Sequence, residues 1–357
     1  MKRIHLVLYC QLLFAPLANA GLPPFHGTLQ WHALSVDESF QNAKVFGTAF
    51  LFSIPDLKVT DSITLEAEAG VNLEIGSNNS TYIKEFAPER EVVLRKAYLE
   101  FIPVNFLQLK AGAINQQDYQ SPLLLGGRAF VAAQEQLTLP IGELQNITLR
   151  SQQAIPSNDT LTNRIGAVDG KPPQFMIHSL GVDLDGDVLS IQVEASLWRF
   201  QTLPNSVAYY SRFMGNTVVG IGTDASRFYY NYYGKNASFK LGLFESSPVN
   251  FIFSGQWVRN DEAATGHDTG LMASGGLGLY GHRFSLHWLK NESDSSVAFY
   301  NASSLGHNNR KGYGVSVEGA VNPVWNYSAK YWNLDLIEAN LYQSAGTRFQ
   351  FGLERSF

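Results

Sequence analysis

The sequence predicts an all-β fold in which antiparallel strands close into a transmembrane barrel. Three observations lead to this prediction: an alternating last strand that ends on an aromatic residue, a leader-like N-terminus, and long apolar/polar runs joined by turns of unequal length. A strand places successive side chains on opposite faces, so strict alternation is expected where one face meets hydrocarbon and the other meets water.

The C-terminal strand is predicted to present one apolar face. That face carries Thr347, Phe349, Phe351, Leu353 and the terminal Phe357, and the residues between them are mostly polar. The pattern resembles the C-terminal signature of Gram-negative outer-membrane β-barrel proteins, whose last strand typically ends in Phe. This resemblance implies that Phe349, Phe351, Leu353 and Phe357 form an assembly signal for the barrel-assembly machinery.

The N-terminus has the three parts of a secretory signal peptide. Lys2 and Arg3 are followed by an apolar stretch over residues 4–17 and by a small-x-small site at residues 18–20. The stretch is too short to span a membrane as a helix. We therefore expect a signal peptide over residues 1–20 and a single barrel domain over residues 21–357.

The composition excludes several classes of protein. Cys10 is the only cysteine and lies in the predicted leader, so disulfide scaffolds and thiol chemistry are not expected. Removing Lys2 and Arg3 leaves 24 basic and 31 acidic residues, a net charge of −7 that argues against a nucleic-acid partner. The chain is 13% aromatic and only 16% charged, which suits a barrel wall with aromatic girdles.

The alternation itself is long enough for membrane-spanning strands. Residues 63–75 alternate without a break over thirteen positions, and residues 189–197 repeat the pattern. A tilted barrel strand needs about 9–11 residues to cross a membrane. A soluble β-sandwich or propeller would also alternate, but it would not explain the leader, the terminal Phe and the unequal connections together.

The connections predict eighteen strands with short periplasmic turns and longer external loops. The turns include Asp185-Gly186 and Tyr280-Gly281, and the longer segments include residues 76–90, 116–129 and 292–310. The predicted strands are 26–36, 43–54, 61–76, 91–102, 104–115, 130–139, 145–155, 174–184, 188–200, 212–222, 226–234, 237–247, 249–260, 268–280, 282–291, 311–321, 325–337 and 345–357. Dropping a weak pair, either 130–139 with 145–155 or 212–222 with 226–234, gives the alternative of sixteen.

The polar residues of the alternating strands are expected to line an aqueous lumen, because side chains cannot fill a barrel of this width. Acidic and basic residues fall on neighbouring strands, where they can set a local field or simply pair with each other. The lining candidates are Glu66, Glu68, Lys96, Glu100, Lys110 and Arg150.

Residues 116–129 do not read as an ordinary external loop. They contain Leu123, Leu124 and Leu125, whose exposure to water would be unfavourable by about 25 cal/mol per Å². The leucines are therefore expected to pack on the inner wall of the barrel, or else to form a subunit contact or face lipid at the rim.

In size and architecture the chain resembles the general diffusion porins, in which the third external loop forms the constriction. This resemblance implies that Asp118 and Arg128 border an eyelet opposite Lys96 and Lys110. It also implies an outer-membrane porin of a Gram-negative bacterium, assembled as a homotrimer in outer-membrane lipid. Ions and small hydrophilic solutes would diffuse through the lumen. The alternatives are a substrate-specific channel and a structural or adhesive barrel without transport.

An enzyme is not favoured by the sequence. Ser285 and His287 share a strand face, but they lie close to a predicted periplasmic turn. No cofactor or metal site is expected, because the calcium-like run 183–187 lacks the remaining ligands at the required spacing.

Overall fold

A computed structural model describes residues 25–82, 85–142, 144–156 and 171–357 of the chain. Among these residues, sixteen antiparallel strands close into one barrel, and two further short strands pair with each other outside it. Each barrel strand pairs with its neighbours along the chain, and β1 closes the ring against β18 over the register Thr28–Glu38 with Gly346–Ser356. Within the same described residues, no helix has the length and apolar character to cross a membrane.

The strands have the following bounds. In the first half of the barrel they are β1 (His26–Glu38), β2 (Gln41–Lys58), β3 (Ile63–Ser80), β4 (Arg90–Val104), β5 (Leu107–Asn115), β6 (Ala129–Pro140), β7 (Gln145–Ile155), β8 (Gln174–Leu184) and β9 (Leu189–Gln201). Helix α1 (Asn205–Phe213) and the short pair β10 (Val218–Val219) and β11 (Arg227–Phe228) follow. The second half contains β12 (Tyr232–Leu243), β13 (Val249–Asn260), β14 (Thr269–Leu279), β15 (His282–Asn291), β16 (Arg310–Asn322), β17 (Trp325–Leu336) and β18 (Gly346–Ser356).

The prediction of eighteen barrel strands is wrong, and the alternative of sixteen is correct. The predicted pair 212–222 and 226–234 is replaced by the end of α1 and by β10–β11, and the next barrel strand begins at Tyr232. Val207, Ala208 and Ser211 are the buried residues of α1 and recur at helical spacing, so a helical face, not a strand face, packs here. The other weak pair, 130–139 with 145–155, forms β6 and β7 as predicted.

With one exception, the tight turns lie at one end of the barrel, which we call the turn end, and the longer connections lie at the other, the loop end. The exception is Ser39-Phe40, which joins β1 to β2 at the loop end. Tyr280 and Gly281 alone join β14 to β15, with φ angles of 49° and 85°. Two consecutive positive φ angles define the turn that matches the twist of a two-residue hairpin, and glycine takes that conformation without strain. The asymmetry predicted from the sequence is therefore present.

The barrel wall is apolar outside and polar inside along most strands. On β3, Val71, Leu73 and Ile75 are 43%, 51% and 64% exposed on the outer face, whereas Glu66 and Glu68 point inward. At the loop end part of the interior is occupied by a buried apolar cluster from wall strands, α1 and loops, which includes Leu123, Leu124, Phe130, Phe175, Val207, Tyr300 and Trp332.

Candidate functional site

The first half of the inner wall carries a set of paired charges on β3, β4 and β5. Lys96 Nζ lies 2.8 Å from Glu66 Oε2, which also accepts a hydrogen bond of 2.7 Å from the Tyr98 hydroxyl. Glu100 lies 3.5 Å from Lys110 Nζ. These residues therefore form one compact group of ion pairs.

The same wall contains one partner that the sequence reading left out. Glu68 pairs with Arg95 Nη1 at 3.2 Å, and Arg95 Nη2 also donates to Gln30 Oε1 on β1 at 2.8 Å. The register between β3 and β4 shifts at Glu68, and this irregularity brings Arg95 to the inner side. A strictly alternating pattern would have assigned Arg95 to the outer face.

Arg150 belongs to a different part of the lumen. Its Nε donates to Gln136 Oε1 on β6 at 3.2 Å, and its Nη1 lies 3.9 Å from Glu194 Oε2 on β9. Its guanidinium also lies 4.9 Å from the centre of the Tyr119 ring. Arg150 therefore connects the β6–β9 wall to the connection that follows β5.

That connection, residues 116–128, is here called the leucine loop. Asn115 Oδ1 accepts a hydrogen bond from Gln117 N and caps a 3-10 turn over Gln116–Tyr119. Burial raises the pKa of the Tyr119 phenol, against the opposing charge of Arg150, so this ring is neutral at physiological pH. Leu123, Leu124 and Leu125 are 1%, 0% and 2% exposed.

The leucine loop bonds to inward-facing side chains from distant strands. The Leu123 amide donates to Gln256 Oε1 on β13 at 3.0 Å, and Asn236 Nδ2 on β12 donates to Ser121 Oγ at 3.0 Å. From the loop between β15 and β16, Ser296 Oγ donates to the Leu123 carbonyl at 2.7 Å. Both the backbone and the leucines are thus fixed by contacts within this chain.

Asp118 and Arg128 lie on the leucine loop and line a cavity of about 960 Å³. Asp118 is exposed, and the Arg128 guanidinium stacks 4.3 Å from the centre of the Phe299 ring. Arg150 lines the same cavity, whereas Lys96 and Lys110 do not. The structure therefore divides the predicted site residues into a β3–β5 group and a cavity group.

A segment that sequence reasoning did not assign to the site crosses the loop end of the barrel. Residues 202–231, here called the mouth segment, leave β9, which lies eight strands from β1 in either direction around the ring. Phe213 on this segment stacks on Tyr82 with ring centres 5.5 Å apart, and it meets the edge of Tyr342 at 5.2 Å. Tyr82 and Tyr342 follow β3 and β17, so these contacts reach the far side of the mouth.

The mouth segment is anchored by a buried carboxylate. Asp294, in the loop between β15 and β16, accepts hydrogen bonds from Thr217 N at 2.9 Å, Thr217 Oγ1 at 2.6 Å and the Tyr232 hydroxyl at 3.1 Å. It is fully buried. The aromatic residues of this segment, which include Tyr209, Tyr210 and Phe213, were the available signal, but the sequence analysis attributed the aromatic content of the chain to girdles of the barrel wall.

A second buried charge cluster joins the other loops to the wall. Glu38 on β1 lies 2.6 Å from Arg310 Nη2 and 2.8 Å from Arg348 Nη2. Arg348 Nη1 also donates to the Ser303 carbonyl at 2.5 Å, and Arg310 donates to the Ser344 carbonyl. The two arginines thereby hold the connections before β16 and before β18.

His307 and Glu85 form an ion pair beside this cluster. Burial alone would raise the pKa of the Glu85 carboxyl, but the charge and hydrogen bond of His307, with the charges of Arg348 and Arg128, hold that pKa below its ordinary value. The pair fixes the connection between β3 and β4 against the loop between β15 and β16.

This pair predicts acid sensitivity at the mouth. Because the Glu85 pKa is lower in the folded state, its contribution to stability is present above about pH 4.5 and is lost as the pH falls through the folded value. Amide exchange of residues 85–89, corrected for intrinsic rates, should therefore increase below about pH 4.5. Glu85→Gln should remove this dependence, and an equal increase in both proteins would contradict the assignment.

The terminal residues predicted as an assembly signal lie at the barrel seam. Phe357 pairs with Gly27 through two backbone hydrogen bonds of 2.9 and 3.0 Å. Phe349 and Phe351 are 42% and 37% exposed on the outer face, and Phe357 is 57% exposed. Leu353 pairs with Trp31 on β1. Their role as an assembly signal stays a prediction.

The barrel is similar to solved structures of outer-membrane porins. It matches Pseudomonas putida OprB with a TM-score of 0.58 at 9% identity, covering 96% of each chain. It matches Salmonella typhi OmpF in complex with daunomycin with a TM-score of 0.54 at 10% identity, covering 94% of this chain and 97% of that one. No protein-family model and no curated protein matches the sequence.

Proposed function

Because the chain has the barrel fold of outer-membrane porins, we propose that it is a channel of the Gram-negative outer membrane. Ions and small hydrophilic solutes would diffuse through its lumen. The observation that carries this proposal is the contrast between an apolar outer wall and a polar inner wall, whose charged side chains Arg150 and Glu194 line a cavity of about 960 Å³. A barrel of sixteen strands is wide enough to leave an aqueous passage. The signal peptide over residues 1–20 lies outside the described residues and belongs to the same proposal.

The leucine loop is proposed to narrow this passage. Its hydrogen bonds to Gln256 and Asn236 support a position across the lumen, since both side chains face inward from β13 and β12. Asp118, Arg128 and Arg150 would then border the narrow part. The group of Glu66, Glu68, Lys96, Glu100 and Lys110 would form the facing wall.

Planar-bilayer recording of the refolded mature protein tests the channel. Steady conductance steps support it, whereas no conductance from correctly folded barrels would contradict it. The latter result would favour a structural barrel. Steps in groups of three would support the homotrimer.

The charge at the narrow part gives a second, sharper prediction. Asp118→Asn removes an exposed negative charge from the cavity lining, so the reversal potential in a salt gradient should shift toward anion preference. Arg128→Gln should shift it toward cation preference. Asp335→Asn, on the exposed face of β17, is the matched control and should leave it unchanged. Equal shifts of the reversal potential for Asp118→Asn and the control would show that Asp118 does not line the passage.

A further inference from the structure

The outer face of β6–β8 carries polar groups near the middle of the strands, where the outer face of most other strands is apolar. Glu135, Ser151 and His178 lie side by side in register on these three strands, near the middle of each. His178 Nδ1 lies 3.0 Å from Ser151 Oγ, and Gln153 is exposed two residues farther along β7. Their outward direction follows from exposed apolar neighbours on the same face, Val131, Leu149 and Leu180.

A carboxylate at this height is poorly suited to lipid. Charged side chains on the lipid face of a barrel are most destabilising near the midplane and least so near the interfaces. Ionisable residues at membrane depth are usually paired or face a protein or water. Glu135 is exposed in the isolated chain, so its carboxylate is accessible to a partner from outside the chain.

The same face lacks the residues that mark lipid contact elsewhere on the barrel. Phe130 and Phe175 are the only Phe, Tyr or Trp residues of β5–β8, and both point inward and are fully buried. On β12–β18, by contrast, outward aromatic side chains recur on most strands: Tyr233, Phe251, Trp288, Tyr313, Tyr331 and Phe349.

Outward-facing basic residues, like the aromatic ones, are found on the later strands and not on β5–β8. Outward cations lie near the loop ends of β9, β12, β13, β15 and β16, at Arg199, Lys235, Arg259, Lys290 and Lys311. Their position suits the phosphorylated headgroups of an outer leaflet. The cations of β5–β8, Lys110 and Arg150, both face the lumen. The β9–β18 side of the barrel therefore carries outward aromatic and basic residues that suit lipid, and the outer face of β5–β8 lacks them.

We propose that the outer face of β5–β8 is the contact surface for a second copy of this chain, in which Glu135, Ser151, Gln153 and His178 meet polar groups of the neighbour. The inference rests on the proposed outer-membrane location. The patch combines a carboxylate, which accepts hydrogen bonds, with imidazole, amide and hydroxyl groups, which can donate them. Two copies can therefore supply hydrogen-bond partners to each other. Every copy also enters the membrane in the same direction, and most oligomers are symmetric assemblies of identical chains.

Site-specific photo-cross-linking in intact outer membranes tests this surface. The photoreactive residue p-benzoylphenylalanine replaces Gln153 in one variant and Leu286 in the control. Leu286 is 69% exposed on the outer face of β15, on the lipid-suited side. Both positions point away from the lumen, and heat-modifiable migration verifies that each variant folds.

The expected result is a product of twice the chain mass from the Gln153 variant, containing peptides of this chain alone, and none from the Leu286 variant. Lipid adducts alone at Gln153, a product with another protein, or equal dimer formation at both positions would each overturn the inference.

Conductance of the same variants separates the contact surface from the proposed channel. Conducting channels without cross-linking overturn the contact surface alone, and cross-linked outer-membrane barrels that never conduct overturn the pore alone. Absence of the chain from the outer membrane overturns both.

Discussion

Replacing Glu38 by alanine should lower the free energy of unfolding by about 3–5 kcal/mol, the range expected when one partner of a buried ion pair is removed. Arg310 and Arg348 are 2% and 3% exposed and both bond to this carboxylate. Without it, two like charges would remain buried side by side. The loss should therefore exceed that of any single exposed ion pair in the barrel, which is about 0–1 kcal/mol.

The neighbouring residue supplies a matched control. Asp37 is exposed at the same end of β1, and its carboxylate accepts a hydrogen bond of 3.2 Å from Asn42 Nδ2. Urea unfolding in detergent micelles, followed by tryptophan fluorescence, should show a large decrease for Glu38→Ala and little change for Asp37→Ala. Similar small losses in both variants would mean that the cluster does not hold the loop end together.

The largest expected change in transport comes from the mouth segment. Replacing residues 205–228 with a short Gly/Ser linker should raise single-channel conductance several-fold, because this segment reaches across the mouth to Tyr82 and Tyr342. The barrel strands should keep their pairing, since α1, β10 and β11 lie outside the closed sheet. Bilayer recordings beside the parent protein measure the effect.

Point variants distinguish loss of the crossing contact from general damage. Phe213→Ala removes the ring that contacts both Tyr82 and Tyr342, so it should increase conductance or produce frequent transitions to a larger open level. Tyr229→Ala, in the same segment, removes a ring that is 61% exposed and contacts Tyr230, so it should behave like the parent. Unchanged conductance in both the deletion and Phe213→Ala would show that the mouth segment does not limit flow.

Local patterns were sufficient to predict the wall of the barrel. Alternation over residues 63–75 predicted β3, and Asp185-Gly186 predicted the turn between β8 and β9. The three consecutive leucines predicted a buried loop, and all three are buried. These features depend on interactions within a strand or a turn, or on the unfavourable exposure of apolar side chains, and such effects can be read from short stretches of sequence.

Features that depend on contacts across the barrel could not be predicted. Phe213 meets Tyr82 and Tyr342 only because the mouth segment crosses from β9 to the opposite rim, and no periodicity records that path. For the same reason, Arg128 could be placed on a loop but not against Phe299. The strand count failed where Gly215, Gly220 and Gly222 interrupted an alternation too weak to exclude a helix followed by a short ribbon.

The seam between β1 and β18 imposes an order on folding. The Gln30 side chain donates a hydrogen bond to Glu354 across this seam, although the two residues are 324 positions apart. The barrel therefore closes only after both the first and the last strand are available. Until then the growing sheet has two unpaired edges, which are templates for pairing with other chains. Such distant contacts also slow the search for the native state. Protection of those edges by a catalyst or chaperone should therefore govern the yield of this protein more strongly than the stability of the finished barrel.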